Sequence, residues 1–481
     1  MKNNCSIKLF RAALLLAAVS GIRDASGQNT ENQAKAGENI CWLTDPGNGI
    51  FFQPQPLQNS RGSHSGTDQQ ILVDDTQTYQ AIDGFGYTLT GGSAIHINTM
   101  DEKERLALLL ELFGTEGNQI GVSYLRLSIG ASDLSDHLFS YNDLPAGQTD
   151  PYMERFSIDP ERKDLLPVLK EILAINPDIK IMGSPWSPPV WMKDNQDTRG
   201  GSLLPEWYSA YARYFVKYIH AMQKEGIRID AVTIQNEPLH PGNNPSLLML
   251  PGEQAEFLKN HLGPAFREAR IDTKILLYDH NADRIDYPIS ILNDSAARQY
   301  ADGSAFHLYA GKIGDLSKVH EAHPDKNLYF TEQWVGAPGN FSADITWHVR
   351  ELIIGATRNW CRTVLEWNLS SNPQLTPYTD RGGCSKCLGA VTIDGNKVTR
   401  NPAYYIIAHA SKFIRPGSVR IASSIPGKLN NVAFKTPDDN VVVVVQNDSR
   451  EPQQFIINAI GKSLTIILGE GAVGTYLFMK E

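Results

Sequence analysis

From about residue 80 the chain alternates short apolar runs with longer stretches whose apolar positions recur at helical spacing. "AIDGFGYTL" is followed by "TMDEKERLALLLELFG", whose leucine spacing has the helical period and whose Gly114 stops the helix. "SYLRLSIG" comes next, then a long loop and a helix at 160–175. "IKIMGSPW" precedes a helix from Pro205 to Lys224, and "IDAVTIQNEP" precedes one from Pro251 to Arg270. "TKILLYDHN", "GSAFHLYA", "NLYFTEQWV" and "RTVLEWNLS" bring the strand candidates to eight. Eight such alternations predict an α/β fold, a (β/α)8 TIM barrel over 80–400. A doubly wound sheet is the competing layout, but "GFGYTLTGG" lacks the G-x-G-x-x-G spacing and helix start of a dinucleotide turn.

Beyond about 400 the helical pattern is expected to stop. "SVRIASS", "LNNVAFKT", "NVVVVVQND", "QQFIINAIGKSLTIIL" and "GTYLFMK" read as strands separated by Pro, Gly, Asn and Asp turns. The uninterrupted run Val441 to Val445 predicts a strand buried on both faces. "CWLTD", "GIFFQPQ" and a strand at Ile71 to Val73, with a Gly/Ser/His-rich loop at 59–68, precede the barrel. An accessory β-sandwich built from 41–79 and 401–481 accounts for both ends.

The 481 residues are 41% hydrophobic and 20% charged, enough to bury a sizeable core. A net charge of −9 excludes the basic face that a nucleic-acid partner needs. Lys2, Lys8 and Arg11 precede "AALLLAAVS" and the small residues Ala25, Ser26 and Gly27, which reads as a signal peptide over 1–27. A polar linker over 28–40 follows. The apolar stretch is too short to be a permanent membrane span. An exported, soluble, monomeric protein is expected, periplasmic or extracellular and retaining four cysteines: Cys41, Cys361, Cys384 and Cys387.

In such a barrel the reactive groups gather at the C-terminal ends of the strands. Strand two ends with Arg126 and leads to Asp133, strand three leads to Trp186, and strand four ends with Asn236 and Glu237. Strand six carries His307 and Tyr309, strand seven Glu332 and Trp334, and strand eight Trp367 and Asn368. Glutamates after strands four and seven would face one another across the mouth. Two facing carboxyl groups among aromatic platforms are what glycosidic bond cleavage needs: one protonated to release the leaving oxygen, one ionised to attack. The histidines show no H-E-x-x-H or similar ligand spacing, so neither a metal nor another cofactor is expected.

These residues carry a resemblance to glycoside hydrolase family 30, which holds glucosylceramidases and microbial β-1,6-glucanases. The similar segments, in order, are "YQAIDGFGYTLTGGSA", "YLRLSIGASDLS", "IMGSPWSPPVWMKDN", "WYSAYARYFVKYIHAMQKEGIRIDAVTIQNEP", "LYFTEQW", "EWNLS" and "AHASKFIRPGSVRI". The resemblance implies a retaining hydrolase with Glu237 as general acid/base, Glu332 as nucleophile and Asn236 on the sugar 2-hydroxyl. It implies that Asp133 and Trp186 hold the outer hydroxyls and face of the reacting (−1) sugar, with Trp367 and Asn368 beside it. Arg126, His307 and Tyr309 would ring the nucleophile and keep it ionised. The carboxyls would stand about 5–5.5 Å apart. Glu237 would be raised in pKa by the nearby charge of Glu332, giving a bell-shaped pH profile.

The pattern "GGCSKCLG" at 382–389 resembles the β-1,6-glucanase branch, and His307-Leu308-Tyr309 departs from the glucosylceramidase pattern, which has Trp in the middle. β-1,6-Glucan, as polysaccharide or oligosaccharide, is therefore the expected substrate, with endo action. A β-glucosidase of glucosylceramidase type and a non-catalytic glucan-binding protein are the alternatives. In an exported chain Cys384 and Cys387 are expected to form a local disulfide, on a rim loop that shapes the subsites beyond the reacting sugar.

Overall fold

The computed structural model describes residues 40–56 and 69–480. The signal peptide, all but the last residue of the 28–40 linker, and the 59–68 loop lie outside the described residues. Eight strands close into a barrel: Gly84–Thr88, Tyr124–Ser128, Lys180–Ser184, Ala231–Thr233, Lys274–Asn281, Ala301–His307, Asn327–Glu332 and Cys361–Glu366. Neighbours pair in parallel, and the last strand closes on the first through Thr363–Gly84 to Glu366–Tyr87. The eight strand candidates read from the apolar runs are these eight strands.

The two-residue period of a strand sorts the side chains. Leu125, Ile181, Val232, Ile275, Phe330 and Val364 point outward into the core shared with the helices. Tyr124, Met182, Ala231, Leu276, Ala305, Tyr329 and Leu365 form a separate apolar cluster inside the barrel. Two positions further along the same strands stand Arg126, Ser184, Thr233 and Thr331, all buried. The barrel thus has an apolar floor with a polar layer above it, on the side where the strands end.

The helix Tyr208–Lys224 shows how the outer ring is held. Tyr211, Phe215, Tyr218 and Met222 recur every three or four residues and are buried against the barrel. The expected helix from Pro251 is also present, with a wider turn at Leu258–Leu262 joining Pro251–Phe257 to Gly263–Glu268.

One expectation is overturned. A helix, Pro402–Ser411, stands beyond residue 400. It buries every residue but Tyr405 and follows the eighth barrel strand, with Tyr87 of strand one donating to its Ala403 carbonyl. Packed on barrel and sandwich at once, it has no polar face, so the helical alternation that marks a half-exposed helix is missing. His409 on this helix joins the two parts, its ring nitrogens lying 2.8 Å from Thr44 Oγ1 and 2.9 Å from Thr475 Oγ1.

The accessory strands run in the order Ile50–Gln55, Ile40–Asp45, Val473–Phe478, Val441–Asn447, Leu429–Lys435, Val419–Ser423, Gln70–Ala81, Gln453–Ala459, Lys462–Leu468. Strands from before the barrel do complete this sheet. Val441–Asn447 is buried on both faces: Val442 and Val444 join the main core, while Val441, Val443 and Val445 join the sandwich core. Among the described residues no helix is long and apolar enough to cross a membrane.

Candidate active site

All ten residues singled out in the sequence lie at or just beyond the C-terminal ends of the barrel strands. Glu237 leaves strand four with a left-handed φ of 45°, and Tyr278 and Asp279 on strand five have φ of 70° and 69°. Such conformations are costly for residues with a Cβ and persist where surrounding bonds fix them. Here the Glu237 amide donates to the Asp279 carbonyl (3.0 Å), the Asn236 amide to the Pro185 carbonyl (2.8 Å), and the His240 amide to the Glu237 carbonyl (2.9 Å). Glu332 is the last residue of strand seven. A carboxylate oxygen of each glutamate and a ring nitrogen of His307 lie within 4.8 Å of one another. The two carboxyl groups therefore face one another at close range, with the imidazole of His307 beside both.

Beneath the pair, Arg126 is fully buried and four-fold engaged. Its Nη1 donates to Glu332 Oε2 (2.6 Å), and its Nη2 to Asn236 Oδ1 (2.7 Å), Asp279 Oδ2 (2.9 Å) and Ser184 Oγ (3.2 Å). Asp279 is the hub that the sequence reading did not pick out. Its Oδ2 also accepts from Ser184 (2.6 Å) and Thr233 (2.7 Å); its Oδ1 accepts from Thr331 (2.6 Å) and lies 3.1 Å from His307 Nε2. The other face of His307 turns to the glutamates: Nδ1 is 3.2 Å from Glu237 Oε1 and 3.8 Å from Glu332 Oε1. A polar residue at the end of strand five was findable by the rule used for the other strands. "TKILLYDHN" was read only as a strand, and no residue in it was singled out.

The charges do not fall as the sequence reading expects. Burial alone would lift the Glu237 carboxyl, but the hydrogen bond and charge of His307 outweigh it and hold Glu237 below the ordinary glutamate range. Burial likewise lowers an imidazole, yet the facing Glu332, Asp279 and Glu237 carboxylates raise His307 to about 9. Glu332 is pushed up by burial, with Glu237 and Asp279 adding to it, against the pull of His307 and Arg126. His307 and Arg126 moderate that rise without reversing it, and the Tyr309 hydroxyl donates to Glu332 Oε1 at 3.0 Å. The expected lift of Glu237 thus becomes one proton held between Glu237 and His307.

A cavity of about 340 Å³ opens over the pair, lined among others by Asp133, Tyr309, Trp334 and Trp367. Burial, then the Glu332 and Glu237 charges, raises Asp133 to about 8. Trp186, expected on the sugar face, is only 1% exposed; it sits under Trp367 at 5.4 Å between ring centroids, with the Arg126 guanidinium 4.8 Å from its ring. Trp367 is the ring that faces the cavity. Asn368 is tied to the Ser370 carbonyl (2.8 Å), and its buried Oδ1 has no partner. A separate groove of about 680 Å³ lies between the strand Ile50–Gln55 and the helices Glu102–Phe113 and Pro402–Ser411, and none of the strand-end residues lines it.

The loop after strand eight forms one rim. Cys384 and Cys387 are bridged and line the cavity, whereas Cys41 and Cys361 are free, buried thiols. Val335–Gly336 pairs with Cys387–Leu388, Thr379 N donates to the Asp133 carbonyl (3.0 Å), and Arg381 grips Asp197 through two bonds of 2.9 Å. Gly382, at φ +151°, packs so closely that an added Cβ would lie 2.5 Å from the Gly242 carbonyl oxygen. The loop is therefore fixed to the loops after strands two, three, four and seven, and its ends form short strands where the sequence reading expected only an irregular path.

The same architecture recurs in known proteins. The model of the glycosyl hydrolase family 30 TIM-barrel domain matches residues 82–414, and that of the family 30 β-sandwich domain matches 417–476. The chain is similar to the endo-1,6-β-D-glucanase neg1 of Aspergillus fumigatus, 34% identical over 458 residues, 89% of this chain and 92% of that protein. It is 35% identical over 416 residues to an endo-1,6-β-D-glucanase of Neurospora crassa, 82% of this chain and 84% of that one. Among solved structures, the endo-β1,6-glucanase BT3312 superposes with a TM-score of 0.86 at 34% identity, covering 92% of this chain and 100% of its own. Barrel, sandwich and facing carboxyls agree with these matches: the chain belongs to glycosyl hydrolase family 30.

Proposed function

We propose that this protein cleaves β-1,6-glucan internally with retention of configuration, Glu332 acting as nucleophile and Glu237 as acid and base. The observation that carries the chemistry is the Glu237–Glu332 approach within 4.8 Å, with Glu332 held by Arg126 and Tyr309. The linkage rests on the glucanase relatives, which match most of the chain at 34–35% identity. An export signal over 1–27 fits a polymeric substrate met outside the cell.

In the first step a Glu332 oxygen forms a bond to the anomeric carbon while the bond to the leaving O6 breaks. The proton shared by Glu237 and His307 passes through Glu237 to that oxygen. In the second step water forms the new bond to the anomeric carbon, Glu332 departs, and the water proton returns to Glu237. Asn236 has its oxygen engaged by Arg126, so its amide nitrogen is the group that donates toward the 2-hydroxyl. Trp367 supplies the apolar face for the ring, and Asp133 a hydroxyl partner. No step calls on a metal.

Product analysis on linear β-1,6-, β-1,3- and β-1,4-glucans tests the reading. Short 6-linked oligosaccharides should appear first from β-1,6-glucan, with little release from the others. Glucose alone as the early product, or equal rates on all three, overturns it.

The pH profile tests the proton assignment. Glu332 must be ionised, and its carboxyl is raised, so activity should fall on the acid side at a pH above the ordinary glutamate value. The Glu237–His307 pair must hold its proton, so activity should be lost as pH rises through about 9. A rate unchanged well beyond that pH rules out the shared proton.

A further inference from the structure

One wall of the cavity takes no part in the chemistry above. It is made by His240, Asn243, His280 and Asn281. Two of these touch the acid: Asn243 Nδ2 donates to Glu237 Oε2 at 3.2 Å, and His280 Nε2 lies 3.8 Å from Glu237 Oε1. His240 stands beside His280, their ring centroids 6.5 Å apart. Asn281 Oδ1 accepts from the backbone amide of Tyr309 at 2.9 Å, which leaves its amide nitrogen free of that bond. Asp133, Trp334, Trp367 and the Cys384–Cys387 bridge also line the cavity.

We infer that His240, Asn243, His280 and Asn281 form the leaving-group subsite, and that it takes a neutral, hydroxyl-rich sugar ring, not a lipid chain. The inference rests on Glu237 being the proton donor. An acid must face the glycosidic oxygen, so the cavity-lining side chains that touch or adjoin its carboxyl are placed to meet the departing unit. Side-chain amides and a neutral imidazole each donate and accept, which matches sugar hydroxyls. Burial lowers His280 to about 4, so it is neutral while the enzyme works. Among the described residues that line the cavity there is no Lys or Arg to call for an anionic ligand. There is also no Leu, Ile, Val or Met against which an acyl or sphingoid chain could be buried. The sequence reading assigned none of the four.

A retaining enzyme lets this subsite be read apart from the rate of the first step. The full-length protein is charged with glucose from nitrophenyl β-glucoside in the presence of added glucose or, separately, octanol. Water and acceptor then compete for one intermediate, so the ratio of transfer to hydrolysis reports acceptor binding alone. Wild type should transfer to glucose in preference to octanol at equal concentration. His280→Ala should lower the glucose transfer ratio about tenfold, and His240→Ala about threefold, in line with lost hydrogen bonds. His240 is exposed, so its variant reads the subsite even where the buried His280 variant fails to fold. An unchanged ratio in the folded variants overturns the inference, as does a preference for octanol or an absence of sugar transfer by wild type. A protein that leaves β-1,6-glucan intact yet shows the variant losses would refute the linkage reading and keep the subsite.

Discussion

Glu332→Gln is expected to yield a folded protein whose activity on β-1,6-glucan is lower by about 10⁴-fold or more. The amide keeps the size of the carboxyl and still accepts from Arg126 Nη1, and Arg126 keeps its buried partner Asp279. The core charge balance is therefore disturbed by one group only, and the fold should survive. What is lost is the nucleophile, because a neutral amide neither attacks the anomeric carbon nor leaves from it. Steady-state rates with circular dichroism or thermal melting as the folding control make the measurement. Activity within tenfold of wild type in this variant removes Glu332 from the role.

Glu237→Ala should behave differently on different substrates. On glucan, whose leaving O6 needs a proton, loss of a general acid should cost about 10²–10⁴-fold. On an aryl β-glucoside with a good leaving group the first step needs little protonation, so the intermediate on Glu332 still forms and then persists. Azide should enter the space vacated beside His307 and His280 and attack that intermediate, restoring turnover and releasing a glucosyl azide of retained β configuration. An α-azide, or no response to azide with either substrate, speaks against the division of labour between the two glutamates. Glu237 is bonded to His307 and Asn243, so its removal also leaves the His307 proton shared with Asp279 alone.

The difference between the two variants returns to what could be read in the chain. The strands were legible because each is a short apolar run buried on both faces. The glutamates were legible because each directly follows such a run, in "VTIQNEP" and "LYFTEQW". Helices with one wet face, such as Tyr208–Lys224, carried a clear period. Pro402–Ser411, buried all round, carried none and was missed. Asp279 was missed for a related reason: its partners are Arg126, Ser184, Thr233, His307 and Thr331, which come from five other strands. Nothing local marks a carboxylate as the centre of such a set. That Trp186 lies against Trp367, with their ring centroids 5.4 Å apart, is likewise a contact between two strand ends that the chain order does not show.

The sequence by itself determined the barrel, the accessory sheet and the position of the two glutamates at the barrel mouth. These depend on local period, turn residues and strand order, which are properties of neighbouring residues. Only the tertiary structure decided where the protons lie. Glu237 is held down and His307 held up because strand six sets one imidazole between carboxylates from strands four, five and seven. The leaving-group wall was decided the same way, by His240 and Asn243 from one loop meeting His280 and Asn281 from the next strand. Electrostatic energy falls off with distance through space, and the sequence records distance along the chain.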